Sequence, residues 1–368
     1  MSKTPTTNLK HIEELCDAVV IARQDPNGDD EKALTDLRIH VLVHGIDDEH
    51  LLDSDLPPEI IEDSELAKGN PDYVPTRRRE MTIRGKVWKL LLGIDHVQAD
   101  VYIELLSRGK SAQYAKIRRD SFRTFPLEKS FQRVVPEQRI IRVLNCFVHE
   151  YGEIFGYVQG MNAILAPFLY TMPELDAFFA FCKFVTKCFP LYWICYVSGA
   201  QAGCLLVDQC LRSADIELFN HLTKLGLHCE IYGFHSVQSL SASVPPFSQL
   251  VRLWDILMAF GPHLNVLSVV GQIHSKRVEL MACTTGFECQ NILNSRHASP
   301  LDAAKIIAMT MTIQPHLMLD SKLYAQILRH SFDPRHTSEI LGDKGRVVFE
   351  PVDLPCARAE KEHKDFVK

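Results

Sequence analysis

Apolar residues recur every three or four positions along most of this chain, which is the spacing of an amphipathic α-helix. The first such segment covers residues 9–24, and its apolar stripe consists of Leu9, Ile12, Leu15, Val19 and Val20. The turn sequence DPNGDD follows it, and a second helical segment, KALTDLRIHVLVHG, ends at Gly45. The pattern therefore predicts two helices near the beginning of the chain.

Helical periods continue from Ile83 onward. They predict helices in the segments IRGKVWKLLLGI, DVYIELLSRGKSAQYAKIRRDSF, EQRIIRVLNCFVHEYGE, PELDAFFAFCKFVTKCF, LLVDQCLRSADIELFNHLTKLG, PPFSQLVRLWDILMAFG, PLDAAKIIAMTMTI and SKLYAQILRHSF. No run of alternating strand residues bounded by hairpin turns occurs in this part of the sequence. We predict an all-α fold without the equal spacing of a helical repeat protein.

Two polar segments set the predicted domain boundaries. Residues 47–80 carry four prolines, many acidic residues and finally Arg77, Arg78 and Arg79, which is typical of a long surface loop or insertion prone to disorder. Residues 331–368 are polar and contain prolines, so they predict a loosely ordered tail. The predicted organisation is an N-terminal helix in residues 1–34, a helical domain in residues 35–330 and this tail.

One uncharged stretch, residues 188–207, has about the length of a membrane span. Pro190, Gly199, Gln201 and Gly203 interrupt it. We therefore predict a buried helix, a turn and a second helix here, with no insertion into a membrane.

The composition is typical of a globular protein. The chain has 368 residues, of which 46% are hydrophobic and 23% are charged, and this is enough for a substantial core. The formal net charge is −6, so no overall positive field attracts nucleic acid or anionic lipid. The first thirty residues show no secretory signal, and the eleven cysteines include no CxxC pair. These features predict a cytoplasmic protein with reduced cysteines and no zinc site.

The sequence lacks the motifs of a self-contained active site. It contains no GxxxxGK[ST] phosphate loop, no GxSxG or HExxH motif and no protein-kinase signature. We therefore predict no metal and no cofactor bound by this chain itself. Because some catalysts supply only part of a site, this lack is compatible with a protein that completes the active site of a partner.

Three short motifs occur in a fixed order: RGKVW at residues 84–88, IRRDSFRTFP at residues 117–126 and YVQGMN at residues 157–162. Together they resemble the RxxxW, IxxDxxR and YxQGMN motifs of the TBC domain, the catalytic module of GTPase-activating proteins for Rab-type small GTPases. The resemblance covers residues 35–330 and implies two helical subdomains. The first helices and the modest length are most similar to the fungal checkpoint members that restrain mitotic exit or septation.

The resemblance implies that Arg123 acts on the nucleotide of a GTPase. Hydrolysis of GTP requires neutralisation of charge on the transferring phosphoryl group, and an arginine delivered by a partner accelerates it by roughly 10³- to 10⁵-fold. We expect Ile117, Phe122 and Phe125 to anchor the segment and Pro126 to stop the helix.

Asp120 precedes Arg123 by three residues and lies on the same helical face, so we expect it to orient the guanidinium or to cap nearby backbone amides. Arg84 and Trp88 are expected to be structural, as a cation paired within the fold and an aromatic anchor.

Gln159 is the second predicted catalytic residue. A side-chain amide offers a donor and an acceptor together, which suits the orientation of a water molecule against a phosphate, and Gly160 permits a close approach of another backbone. The resemblance implies that Gln159 does the work of the switch glutamine of the GTPase. We expect Tyr157, Met161 and Asn162 to fix the segment.

The resemblance also implies the partners. A small Ras/Rab-like GTPase brings the GTP and Mg²⁺, and a scaffold subunit ties the catalytic subunit to its GTPase and to the spindle pole body. This gives a cytoplasmic location, extending to the spindle pole body.

Three alternative interpretations remain open at this stage. The first is a GTPase-binding adaptor that uses the same helical surface and does no chemistry. The second is that Asp120 and Arg123 form only a helical ion pair, which stabilises by a few tenths of a kcal/mol. The third is a nucleic-acid or membrane-surface protein that uses Arg77–Arg79 with Lys116, Arg118 and Arg119, which the negative net charge disfavours.

Overall fold

The computed structural model describes residues 5–46, 80–294 and 300–342 of the chain. Every regular element in these three ranges is helical, so the predicted all-α fold is confirmed. The chain divides into two compact units, Met1–Cys182 and Lys183–Lys368. No helix in the described ranges combines the length and the apolar character needed to span a membrane.

The first unit contains nine helices within the described residues. They are α1 (Pro5–Gln24), α2 (Asp30–His44), α3 (Ile83–Leu91), α4 (Ala99–Ser107), α5 (Tyr114–Ser121), α6 (Lys129–Val134), α7 (Glu137–Tyr151), α8 (Met161–Thr171) and α9 (Glu174–Lys183). The two helices predicted at the beginning of the chain are present as α1 and α2. α2 ends at Gly45, as predicted, because this residue adopts φ 68°, which few other residues tolerate.

The core of the first unit is built around α8. Every position of α8 except Ala163 is buried, which is the pattern of a helix surrounded by other helices. α3, α5 and α7 all pack against it. α5 is also held by α7, so two buried helices fix the segment that carries the second motif.

The second unit contains eleven α-helices within the described residues. They are α10 (Ser198–Ala214), α11 (Ile216–Lys224), α12 (Cys229–Tyr232), α13 (Phe234–Gln238), α14 (Phe247–Phe260), α15 (Asn265–His274), α16 (Arg277–Ala282), α17 (Gly286–Asn294), α18 (Ala303–Leu317), α19 (Ser321–Arg329) and α20 (Pro334–Leu341). α10 is its centre, because α11, α12, α13, α15, α19 and α20 all contact it.

Two local predictions, for α1 and for the uncharged stretch, need correction. In α1 the buried stripe is Ile12, Cys16 and Val19, whereas Leu9 near the helix start is exposed. The uncharged stretch 188–207 ends in the predicted helix, α10, but short 3₁₀ turns at Pro190–Tyr192 and Cys195–Val197 replace the predicted first helix. Pro190 has no N–H group to continue a helix, and it begins the first of these turns.

The predicted loosely ordered tail begins instead with a helix, α20. The Asp333 side chain accepts a hydrogen bond from the Arg335 N–H and caps it, and Thr337 and Leu341 are buried against the unit. Because most residues of α20 are polar, its one buried side was not apparent from the sequence. The rest of the predicted tail, residues 343–368, and nearly all of the predicted loop, residues 47–79, lie outside the described residues.

Candidate functional site

Arg123 is the second residue beyond the end of α5. The helix ends at Ser121, and the Arg123 N–H donates to the Asp120 carbonyl at 3.2 Å in a final tightened turn. Phe125 then adopts φ 46°, in the left-handed region, and Pro126 has no N–H group to continue the helical hydrogen bonds. The predicted end of the helix before Pro126 is confirmed, and Arg123 sits where the chain turns away from the core.

The carboxylate of Asp120 holds both Arg123 and Tyr157. Its Oδ1 accepts a hydrogen bond from Arg123 Nη2 at 2.5 Å, and its Oδ2 accepts one from the Tyr157 hydroxyl at 3.0 Å. Asp120 is only 6% exposed, whereas 55% of the Arg123 side chain is exposed. The predicted contact between Asp120 and Arg123 is therefore confirmed, and it fixes one edge of a guanidinium that otherwise faces solvent.

Tyr157 remains a hydrogen-bond donor because its environment opposes ionisation. Burial raises the pKa of the Tyr157 hydroxyl far above its usual value, and the negative charge of Asp120 and the hydrogen bond to it raise this pKa further. Arg123 acts in the opposite direction and more weakly. The carboxylate of Asp120 thus keeps this second partner throughout the neutral pH range.

Asn162 joins the end of α5 to the beginning of α8. Its side-chain amide is buried and donates to Thr124 Oγ1 at 2.8 Å and to the Asp120 carbonyl at 3.2 Å. The Thr124 hydroxyl donates in turn to the Asp120 carbonyl at 3.2 Å. Because each buried polar group has a partner, this cluster fixes the two segments relative to one another.

Gln159 lies in the turn that precedes α8, and its side chain is exposed. Gly160 follows with φ 106°, a left-handed conformation that turns the chain into the helix. Met161 is fully buried, and its Sδ accepts a hydrogen bond from the Val158 N–H at 3.5 Å. The residues on either side of Gln159 therefore fix the segment, as predicted, while the Gln159 amide has no hydrogen-bond partner among the described residues.

Two further residues hold this turn and were not predicted. Gln113 Oε1 accepts a hydrogen bond from the Tyr157 N–H, and Lys116 Nζ donates to the Tyr157 carbonyl at 2.9 Å. Gln113 immediately precedes α5, and its spacing of three and seven residues from Lys116 and Asp120 places all three on the side of this segment that meets the turn. That spacing was visible in the sequence. Lys116, assigned above to a basic patch, instead has a structural role.

Phe122 does not anchor the segment, contrary to the prediction. Its side chain is 79% exposed, whereas Ile117 is fully buried and the Phe125 ring packs edge-on against the Phe131 ring at 5.2 Å. α5 has one buried face, and Phe122 follows the helix on the opposite, solvent-facing side.

The first motif lies apart from these residues and is structural. Trp88 is fully buried and packs edge-on against Phe168 of α8, with ring centroids 5.8 Å apart. Arg84 is buried and donates to the Ile46 carbonyl at 2.6 Å. Gly85 allows α3 to approach α8 closely, because a Cβ there would lie 2.5 Å from the Thr171 carbonyl oxygen.

The arrangement presents two different polar groups from two connected segments. A permanent cation, Arg123, stands on one segment, and a neutral amide, Gln159, stands on the other, and the hydrogen bond between Asp120 and Tyr157 connects the two segments. In the part of the chain that the structure describes, no cluster of three or more metal-ligating side chains occurs. Such a pair can neutralise developing negative charge and orient a water molecule on another molecule.

Comparison with known proteins identifies relatives for this arrangement. The model of the Rab-GTPase-TBC domain family matches residues 81–281, which is more than half of the chain. A Dictyostelium discoideum protein that bears the name mitotic check point protein BUB2 is 38% identical over 258 residues, covering 70% of this chain and 67% of the relative.

Two further relatives have similar coverage. The cell division control protein 16 of Schizosaccharomyces pombe is 34% identical over 251 residues, covering 68% of this chain and 81% of that protein. The mitotic check point protein BUB2 of Saccharomyces cerevisiae is 31% identical over 285 residues, covering 73% of this chain and 90% of that protein.

A solved structure shows the same fold. The crystal structure of the Ypt/Rab-GAP domain of Gyp1p superimposes with a TM-score of 0.63 over 86% of this chain and 100% of that domain, at 15% sequence identity. The three motifs, the helical fold and the matched region agree, and the chain belongs to the Rab-GTPase-TBC domain family.

Proposed function

We propose that this protein accelerates GTP hydrolysis by a small Ras/Rab-like GTPase, and that Arg123 and Gln159 enter the nucleotide site of that partner. The observation that carries the proposal is the difference in exposure along one network. Asp120 and Tyr157 are buried and hydrogen bonded, whereas Arg123, which Asp120 binds, and Gln159, two residues after Tyr157, are exposed. A purely structural ion pair gives no reason for an exposed amide on the adjoining segment.

Arg123 is suited to stabilise the charge of the transition state. Asp120 binds one guanidinium nitrogen, and the remaining N–H groups have no partner in the described part of the chain, so they are available to phosphate oxygens. The planar donor fork of arginine matches these oxygens, and its charge is permanent. Because the guanidinium is held before the partner arrives, little reorganisation is needed during the reaction.

Gln159 is suited to orient the attacking water. Its carboxamide can accept a hydrogen bond from the water and donate one to a phosphate oxygen. The left-handed Gly160 and the buried Met161 fix the backbone on its C-terminal side, and Tyr157 fixes it on the other side. Magnesium and GTP come with the partner in this proposal, so the chain itself needs no cofactor.

We extend the proposal to the cell cycle. Two relatives are named mitotic check point proteins, and a third is named a cell division control protein. We propose a role in a checkpoint that restrains mitotic exit or septation, in the cytoplasm and at the spindle pole body, together with a scaffold subunit. Co-purification from mitotic cells, with and without a tag on this chain, tests the scaffold directly.

The catalytic proposal is tested by single-turnover GTP hydrolysis with a panel of small GTPases, with and without candidate scaffolds. For the GTPase that responds, Arg123→Ala is expected to remove roughly 10³-fold or more of the acceleration, because a cation in the transition state is lost. Gln159→Ala is expected to remove about 10²-fold, as for the loss of one oriented polar group.

Arg212→Ala is the matched control. Arg212 is exposed and has no ion pair within the described residues, so its removal should leave the rate unchanged. Full acceleration by the Arg123→Ala or Gln159→Ala protein would contradict the assigned roles. Tight binding of the GTP-loaded partner without any acceleration by the wild-type protein would favour the non-catalytic adaptor.

A further inference from the structure

A basic and aromatic groove lies on the exposed side of α5. It has a volume of about 810 Å³, is open to solvent and is lined by Lys110, Tyr114, Ala115, Arg118, Arg119, Phe122 and Glu137. We call the part formed by Lys110, Tyr114, Arg118, Arg119 and Phe122 the basic groove. Tyr114, Arg118 and Phe122 are spaced by four residues and therefore share one helical face.

The basic groove is locally positive on a negatively charged chain. Its lining contains three cations and a single carboxylate, that of Glu137, although the formal net charge of the chain is −6. Arg118 and Arg119 are exposed and have no ion pair among the described residues, and Lys110 lies 5.1 Å from the ring centroid of Tyr114. The nearby Asp120 does not reduce this charge, because it is buried and paired with Arg123.

Phe122 adds an apolar element to the basic groove. A phenylalanine that is 79% exposed forgoes roughly 2 kcal/mol of burial that an inward position would provide. Exposed aromatic residues beside unpaired arginines are the composition found at the centres of protein interfaces. The combination therefore fits an acidic protein surface that carries an apolar side chain.

The basic groove lies close to Arg123 along the chain. Phe122 is the chain neighbour of Arg123, and Arg119 precedes Arg123 by four residues, which is one helical turn. A protein whose nucleotide reaches Arg123 must cover the surface beside it. The groove is therefore continuous with the site that the GTPase contacts in the proposed function.

We propose that the basic groove is a specificity site, which selects GTPases bearing an acidic surface segment with an apolar side chain beside the nucleotide pocket. This proposal rests on the proposed function. Opposite charges across the contact would accelerate encounter and fix the docking register, whereas Phe122 would slow dissociation. Arg118, Arg119 and Phe122 act in docking and do not touch the reacting phosphate.

The test measures the single-turnover rate of GTP hydrolysis as a function of the concentration of this protein, with the GTPase that the wild-type protein activates. The double variant Arg118→Glu/Arg119→Glu is expected to raise the half-saturating concentration about tenfold or more and to leave the rate at saturation unchanged. The increase should shrink as salt is added. Phe122→Ala is expected to raise the same concentration without this salt dependence.

The control carries the same change of charge elsewhere. Arg212→Glu/Lys224→Glu alters two exposed cations of the second unit that have no ion pair within the described residues, and it should leave the half-saturating concentration unchanged. Replacement of acidic residues of the GTPase by lysine should restore activation by the Arg118→Glu/Arg119→Glu protein. Thermal unfolding confirms that each variant is folded.

The outcomes separate the two proposals. Equal half-saturating concentrations for the wild-type and Arg118→Glu/Arg119→Glu proteins, in an assay where Arg123→Ala abolishes the acceleration, overturn the specificity site and leave the proposed function intact. Loss of binding to phosphatidylserine vesicles or to duplex DNA, with unchanged activation, assigns the groove to a different ligand and overturns it as well. A wild-type protein that activates no GTPase in the panel refutes both proposals.

Discussion

Replacement of Tyr157 by phenylalanine removes the hydroxyl that donates to Asp120 Oδ2 and, over a longer distance of 3.4 Å, to Asn162 Oδ1. The Tyr157 ring is buried and would remain in place, so no cavity forms, but Asp120 Oδ2 loses the donor that lies 3.0 Å away. A hydrogen bond to a charged group contributes about 1.5–3 kcal/mol, and the burial of Asp120 limits replacement of the lost donor by solvent. We therefore expect the free energy of unfolding to fall by roughly 2 kcal/mol.

The same substitution should also reduce activity through the position of Arg123. Asp120 would be held by fewer partners, and the guanidinium that it orients would lose its fixed geometry. Small displacements of a catalytic group reduce rates by up to about 10²-fold, so we expect about a tenfold fall in the single-turnover rate at saturating protein.

Urea denaturation measures the first effect, and single-turnover hydrolysis measures the second. Tyr114→Phe is the matched control, because the Tyr114 hydroxyl has no hydrogen bond among the described residues, and it should change the free energy of unfolding by less than about 0.5 kcal/mol. Equal stabilities for the Tyr157→Phe and Tyr114→Phe proteins would refute the reasoning.

Two further predictions concern the fold. Gly85→Ala places a Cβ 2.5 Å from the Thr171 carbonyl oxygen and should destabilise the protein by about 1–3 kcal/mol in urea denaturation. Gly271→Ala is the control, because its Cβ would have only ordinary contacts, and it should be neutral or slightly stabilising. The opposite order of stabilities would contradict the close packing of α3 against α8. Burial lowers the pKa of His330 in the folded protein to about 4. The neutral side chain therefore makes its full contribution to the free energy of unfolding above its unfolded pKa of about 6.5, and this contribution is lost as the pH falls through 4. His330→Gln should therefore abolish roughly 3 kcal/mol of the loss of stability between these pH values, and an unchanged loss in the variant would show that folding does not lower the pKa of His330.

The position of the site follows from short-range sequence patterns. Pro126 ends α5 by its chemistry alone, and the spacing of Asp120 and Arg123 places them on one turn of a helix, so their contact was predictable. The left-handed Gly160 likewise belongs to a turn that only glycine adopts easily. These features depend on residues within one or two helical turns.

The contacts between segments were not predictable from such patterns. The hydrogen bond from Tyr157 to Asp120 joins residues 37 positions apart, and Lys116 reaches the Tyr157 carbonyl over 41 positions. Both depend on how α5 and α8 pack. Phe122 was wrongly predicted to be buried because it is apolar. The face of α5 that meets the core is instead the one that carries Ile117, which is fully buried.

The helix α20 was missed for a different reason. Its residues are polar on average, and only Thr337 and Leu341 are buried. A short helix at the edge of a unit needs few apolar residues when a larger helix, here α10, supplies the opposing surface.

The most direct test of the central claim compares affinities for the ground state and for a mimic of the transition state. The GTPase loaded with GDP and aluminium fluoride mimics the transferring phosphoryl group, and a catalytic side chain must bind this form more strongly than the GTP form. We predict that the wild-type protein prefers the fluoride form. The preference should fall by roughly 10²- to 10³-fold in Arg123→Ala and in Gln159→Ala, with affinity for the GTP form nearly unchanged. An equal preference in the wild-type and both variant proteins would show that neither side chain contacts the reacting phosphate.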